Sequence, residues 1–128
     1  MTRRALPLAL ILLAGAACAQ PQRVEPYAAT VIDGDTIRLG AETIRLRGLD
    51  APELHGRCAQ EITLAFRAAE RLRAIVAAGI TIDRAGSDRY RRTLATVRDS
   101  RGRDVAAVLI SEGLAREYHG RGQRQGWC

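Results

Sequence analysis

The spacing of apolar and polar positions changes period along this chain, and each change marks an expected element. From residue 28 to residue 49 the period is two. A short run at 28–32 is followed by a DGD turn at 33–35, an alternating TIRL at 36–39, a Gly40-Ala41 turn and a second alternating run at 43–47. In that last run Ile44 and Leu46 share one face, while Arg45 and Arg47 share the other. Three strands joined by tight turns predict a meander. Residues 51–57 hold Pro52 and Gly56 and read as irregular.

From 59 to 78 the spacing becomes helical. Ile62, Ala65, Phe66, Ala69, Leu72 and Val76 form the expected apolar stripe, with Glu61, Arg67, Glu70, Arg71 and Arg73 largely outside it. Gly79 stands where a helix-ending glycine is expected. Two further strands fit 80–82 and 93–97, separated by RAGSDRYRR, and Asp104 can cap a second helix carrying Val105, Val108, Leu109 and Leu114. Residues 20–26 read as a polar lead-in. The tail HGRGQRQGWC is too rich in glycine and arginine to pack by itself, with Trp127 expected to cover a core edge. The order is three strands, helix, two strands, helix. It predicts an α+β, mainly β class: a five-stranded OB-fold barrel with two or three helices. An open sheet covered by one helix is the alternative.

The first nineteen residues carry a different pattern. Arg3 and Arg4, an apolar run from 5 to 13 and the small-residue end Ala17-Cys18-Ala19 have the layout of a secretory signal peptide cleaved before Gln20. The apolar run is too short to span a membrane. The expected division is therefore a leader at 1–19 and one domain at 20–128, delivered to the periplasm or the medium. Lipid attachment at Cys18 is the alternative, although Gly15 stands where such a signal usually has leucine. Cleavage turns three cysteines into a pair, and in an oxidising compartment Cys58 and Cys128 are expected to be disulfide-bonded.

Charge adds a partner class. All twenty basic residues other than histidine are arginine; losing Arg3 and Arg4 against an unchanged fourteen acids leaves a formal +4. The arginine fork favours phosphate among anions, which points weakly to a polyanionic partner. Aromatic residues are scarce, so no base-stacking platform is evident. His55 and His119 lack a third ligand at zinc spacing and read as surface residues.

The DGD stretch fails as an EF-hand: counting from Asp33, position 6 is Arg38 and position 12 is Ile44. A different site survives. Asp35 starts the second strand and Asp50 ends the third, so antiparallel pairing can bring both carboxylates to one hard cation with open coordination positions. Glu53 lies three residues on, able to orient or deprotonate a water, and Arg45 can clamp a phosphate. Taken singly, each feature is more often a plain turn, a solvated strand residue or a strand exit. Their joint order gives them weight.

The stretches VIDGDTIRL, IRLRGLDAPE, DRYRRTLA and LISEGLA, in this order, resemble the staphylococcal nuclease (thermonuclease) family over about residues 30–115. The resemblance implies an OB-fold hydrolase that cleaves phosphodiester bonds of DNA and RNA with Ca2+, leaving 3′-phosphate ends, as a monomer preferring single strands. By position it implies Asp35 and Asp50 as carboxylate ligands and Ala51 as a backbone-carbonyl ligand. Glu53 would be the base, Arg45 and Arg92 the phosphate-binding catalytic arginines, and Arg89 and Tyr90 neighbours of the nucleotide. Tyr118 would substitute for later family residues. Arg91 stands where the family usually has glycine; a positive φ there would cost about 1–2 kcal/mol, or shift the loop so that Arg91 reaches the phosphate instead.

Two other functions fit parts of the pattern. A non-catalytic nucleic-acid-binding domain on the same fold would explain the arginines, and a calcium-binding envelope protein would explain the acids. Neither uses both sets.

Overall fold

The computed structural model describes residues 19–128, so the expected leader falls outside the described residues except for Ala19. The described part is mainly β with two helices, consistent with the expected OB-fold-like class, and the strands outnumber the expected five. In chain order they are β1 (Gln22–Val24), β2 (Thr30–Asp33), β3 (Thr36–Leu39), β4 (Glu42–Leu46), β5 (Leu49–Asp50), β6 (Ile80–Ser87), β7 (Thr93–Arg98) and β8 (Arg116–Glu117). Helix α1 (Ala59–Ala77) follows β5, and α2 (Val105–Ser111) follows β7.

One sheet has the order β1-β6-β7-β4-β3-β2, and β5 pairs with β8 in a second, two-stranded sheet. The meander β2-β3-β4 is antiparallel as its turns require. β4 then pairs with β7 in parallel, joining the meander to the second half of the chain. The polar lead-in supplies an edge strand because Val24 is buried and β1 registers on β6.

Alternation decides what the sheet buries. Ile37, Ile44, Leu46, Ile82 and Val97 all point into the core, where they meet Leu72 of α1 and Leu109 of α2. The buried face of α1 differs from the expected stripe. Ala65, Ala68, Ala69, Leu72, Ile75 and Val76 face inward, while Phe66 is 55% exposed. Small residues bring α1 close to the β2–β3 turn: a Cβ on Gly34 would lie 2.8 Å from the Ala68 Cβ and 2.9 Å from that of Ala51. A phenylalanine on that face would hold the helix away, so Phe66 is turned out. Gly79 ends α1 at φ +87°, and the Asp104 side chain caps α2 by accepting from the Ala106 N–H, both as expected.

Candidate active site

Two neighbouring turns and strand β4 between them build the site. The β2–β3 turn carries a bulge, since Val31 opposes Ile37 while Asp33 opposes Thr36, leaving Ile32 as the extra residue. The bulge is followed at once by Asp35, whose carboxyl group is buried. Arg45 lies opposite Thr36 in the β3–β4 register, which sets its guanidinium beside Asp35 at 2.6 Å. Gly48 breaks the chain out of β4 at φ +86°, and β5 then ends on the buried Asp50.

Hydrogen bonds tie these turns together. The Ala51 N–H donates to Asp35 Oδ2 at 3.3 Å, and Arg45 donates to the Leu49 carbonyl at 3.4 Å. Asp50 is therefore flanked by two residues that are each fixed to the Asp35–Arg45 pair. The Thr36 hydroxyl donates to Asp35 Oδ1 at 2.8 Å. Of the expected site residues, Asp35 and Arg45 are in contact, Ala51 is bonded to Asp35 through its backbone N–H, and the Asp50 side chain is paired with Arg124.

Electrostatics divide the two acids of the DGD turn. Burial works to raise the Asp35 pKa, but the Arg45 charge and the hydrogen bonds around the carboxylate outweigh it and hold Asp35 below the usual carboxylate range. Asp33 is pushed up to about 7, first by burial and then by the neighbouring Asp35 charge. Asp35 is thus held ionised, while Asp33 keeps its proton well above the usual carboxylate range.

Glu53 follows Asp50 on an exposed loop whose shape comes from a residue the sequence reading set aside. Glu61, expected outside the buried stripe of α1, is buried; its carboxylate accepts from the Arg57 N–H at 2.8 Å and from the Glu53 N–H at 3.4 Å. Cys58 makes no side-chain cap at the start of α1, so Glu61, three residues on, reaches back to the loop. Its place in the first turn was the available signal.

Arg92 is paired with Asp88 rather than with Asp35, Asp50 or Glu53. It precedes Thr93, the parallel partner of Ile44, and its guanidinium is bound to Asp88 at 2.7 Å. Arg89 and Arg92 lie 4.9 Å and 5.4 Å from the centre of the exposed Tyr90 ring, forming a cationic cluster on the 88–92 turn. Arg91 does adopt positive φ, at +64°, so the turn keeps its shape and Arg91 carries the strain. Tyr118 donates its N–H to Gly48 and lies between two clefts, one of about 360 Å³ bordered by Arg45 and Arg47, the other of about 770 Å³ bordered by Asp50. His55 and His119 are exposed, as expected of surface residues.

Cys58 and Cys128 are bonded, with Cα atoms 5.9 Å apart. Trp127 is partly buried under the Arg116 guanidinium, 3.9 Å from its ring centre. The bonded tail also brings Arg124 to Asp50 and, at 3.2 Å, to Glu53; the Asp50 hydrogen bond above all raises the pKa of this guanidinium further. No local pattern in the sequence announced Arg124, because its partners lie 74 and 71 residues away.

The model of staphylococcal nuclease homologues matches residues 43–126. The succinoglycan biosynthesis protein ExoI of Rhizobium meliloti (strain 1021) is 36% identical over 93 residues, 68% of this chain and 49% of that protein. The protein ParB of Escherichia coli is 32% identical over 136 aligned positions, covering 94% of this chain and 72% of its own length. The chain thus spans about half the length of ExoI and rather more of ParB. With the family match extending over most of the described residues, the chain belongs to the family of staphylococcal nuclease homologues, whose domain indicates a nuclease-like or nucleic-acid-binding role.

Proposed function

We propose that this protein is a Ca2+-dependent endonuclease that hydrolyses phosphodiester bonds of DNA and RNA, preferring single strands and leaving 3′-phosphate ends. One observation carries the reading: Asp35, Arg45 and the segment around Asp50 are bound into a single cluster by the Ala51 N–H and the Leu49 carbonyl.

The donor set fits a hard cation. Both aspartates are buried and both offer carboxylate oxygens, each paired with a guanidinium whose place on the carboxylate a cation would take. Asp35, Asp50 and the Ala51 carbonyl would hold Ca2+, which supplies positive charge to a phosphate oxygen and makes water a better nucleophile. Glu53 orients a water and takes its proton as the water attacks phosphorus. Arg45 donates to the non-bridging oxygens as their negative charge grows, and Arg92 joins it after releasing Asp88. The 5′-oxygen leaves and takes a proton from solvent water to become a hydroxyl, and the phosphate stays on the 3′ side. Arg89 and Tyr90 contact the adjacent nucleotide, and Tyr118 contacts the chain between the two clefts.

The same reading covers location. The mature chain, residues 20–128, acts as a monomer in the periplasm or the medium; the Cys58–Cys128 bond and the leader pattern support export. Among the described residues no helix is long and apolar enough to cross a membrane.

Purified mature protein should degrade heat-denatured DNA with Ca2+, stop in chelator, and lose activity at least ~100-fold as Glu53→Ala. Cleavage that survives both treatments would defeat the mechanism. Salt-sensitive DNA binding without turnover under any divalent cation would replace it with the binding-domain reading.

A further inference from the structure

The tail after β8 has little reason to be ordered by its own sequence, since residues 119–128 contain one large apolar side chain, Trp127. It is nevertheless fixed at both ends. β8 registers on β5 through Leu49–Glu117 and Asp50–Arg116, and Cys128 is bonded to Cys58. Between these anchors Arg116 donates to the Gly126 carbonyl at 2.7 Å and covers the Trp127 ring. The segment between arches beside Asp50 and forms a wall of the 770 Å³ cleft, to which Arg121, Gln123 and Arg124 contribute polar groups. Arg124, with 46% of its side chain exposed, reaches both Asp50 and Glu53.

We infer that Arg124 is a phosphate-binding residue of the site, resting on Asp50 and Glu53 until a divalent cation takes Asp50, then passing to a backbone phosphate of the nucleic acid in the adjoining cleft. The inference rests on the nuclease reading above. A guanidinium and a divalent cation on one carboxylate repel each other, so the cation must displace the arginine from Asp50. The displaced group cannot leave. β8, ending at Glu117, and the disulfide at Cys128 tether it beside Asp50, at high effective concentration for a phosphate in the cleft. Its planar fork matches phosphate oxygens as well as it matches carboxylates. The disulfide thereby acquires a role beyond closing the chain: it delivers a cation to a site built from residues more than 70 positions earlier.

The test compares wild type, Arg124→Ala and Arg124→Lys in the full mature protein. Calorimetric titration with Ca2+ reads cation affinity; fluorescence anisotropy of a labelled, cleavage-resistant phosphorothioate single strand reads nucleic-acid affinity across a salt series with Ca2+ present. Arg124→Ala should bind Ca2+ about two- to fivefold more tightly, because a half-exposed guanidinium competing for Asp50 is gone. It should bind the oligonucleotide about three- to tenfold more weakly, with the log–log salt slope reduced by about 0.7, one single-strand phosphate contact. Arg124→Lys should recover part of the slope. Unchanged oligonucleotide affinity and slope would overturn the assignment, leaving Arg124 a counter-ion only; unchanged or weaker Ca2+ binding in Arg124→Ala would overturn the displacement. A wild type that binds the strand but never cleaves natural DNA would remove the nuclease reading instead, and the anisotropy series would still decide Arg124.

Discussion

Arg45 is paired with Asp35 at 2.6 Å because the β3–β4 register sets Arg45 opposite the residue that follows Asp35. The pair is mostly hidden from water, with 16% and 7% side-chain exposure. Arg45→Ala leaves a buried carboxylate beside Asp33 with no cation to answer it. We expect a loss of about 3 kcal/mol of stability in chelator. Ca2+ should restore part of it, so the variant should gain more in Tm from added Ca2+ than wild type does. Cleavage should fall at least ~100-fold at saturating Ca2+. Thermal melts with and without Ca2+, beside a cleavage assay, check all three.

Gly34 is required by space rather than by backbone conformation. A methyl group there would collide with the Ala51 and Ala68 side chains at 2.9 Å and 2.8 Å, well inside normal contact. Gly34→Ala should push the 51–53 loop away from Asp35 and cost about 1–3 kcal/mol. Ca2+ affinity should drop with it, because the Ala51–Asp35 hydrogen bond sets the distance between the two carboxylate-bearing segments. Denaturant melts and Ca2+ titration of the variant report the two effects separately.

Asp33 gives the metal-free protein a pH dependence of defined sign. Its folded pKa of about 7 lies above the ordinary 3.8, so the folded state holds a proton that the unfolded chain releases. Stability from this group is full below pH 3.8, falls as pH rises towards 7, and is lost above that. Asp33→Asn removes the dependence while keeping an acceptor for the Asp35 N–H, which Asp33 Oδ1 receives at 3.1 Å. In chelator, the Tm advantage of Asp33→Asn over wild type should be small at pH 4, grow up to about pH 7 and level off beyond it. Melts across that range measure the curve.

Cys58 and Cys128 close a loop of 70 positions. Replacing both with serine should cost about 4 kcal/mol in the chain-entropy view of disulfides. Reduction of the wild type by a dithiol should produce the same shift in a urea melt, since both treatments free the same tail.

Much of this arrangement is legible in the sequence. Alternation locates the meander and its inward faces at Ile44 and Leu46, the DGD turn and Asp50 mark the acids, and an expected leader ending before Gln20 leaves Cys58 and Cys128 as a pair. Helix α1 was located but its phase was misread at Phe66 and Glu61. In an alanine-rich helix a stripe can be drawn through the bulky residues or through the small ones. Here the close approach of Gly34 selects Ala65, Ala68 and Ala69.

The sequence by itself determined the local elements, the acids and arginines available, and their order, because each is set by a period of two or 3.6, a turn residue or a cap within a few positions. Tertiary structure alone decided that β4 runs parallel to β7, that β1 edges β6, that β5 takes β8 as its partner, and that Arg124 reaches Asp50. Those pairings join segments tens of residues apart, and their selection depends on which faces must be buried together, a property that no local spacing encodes.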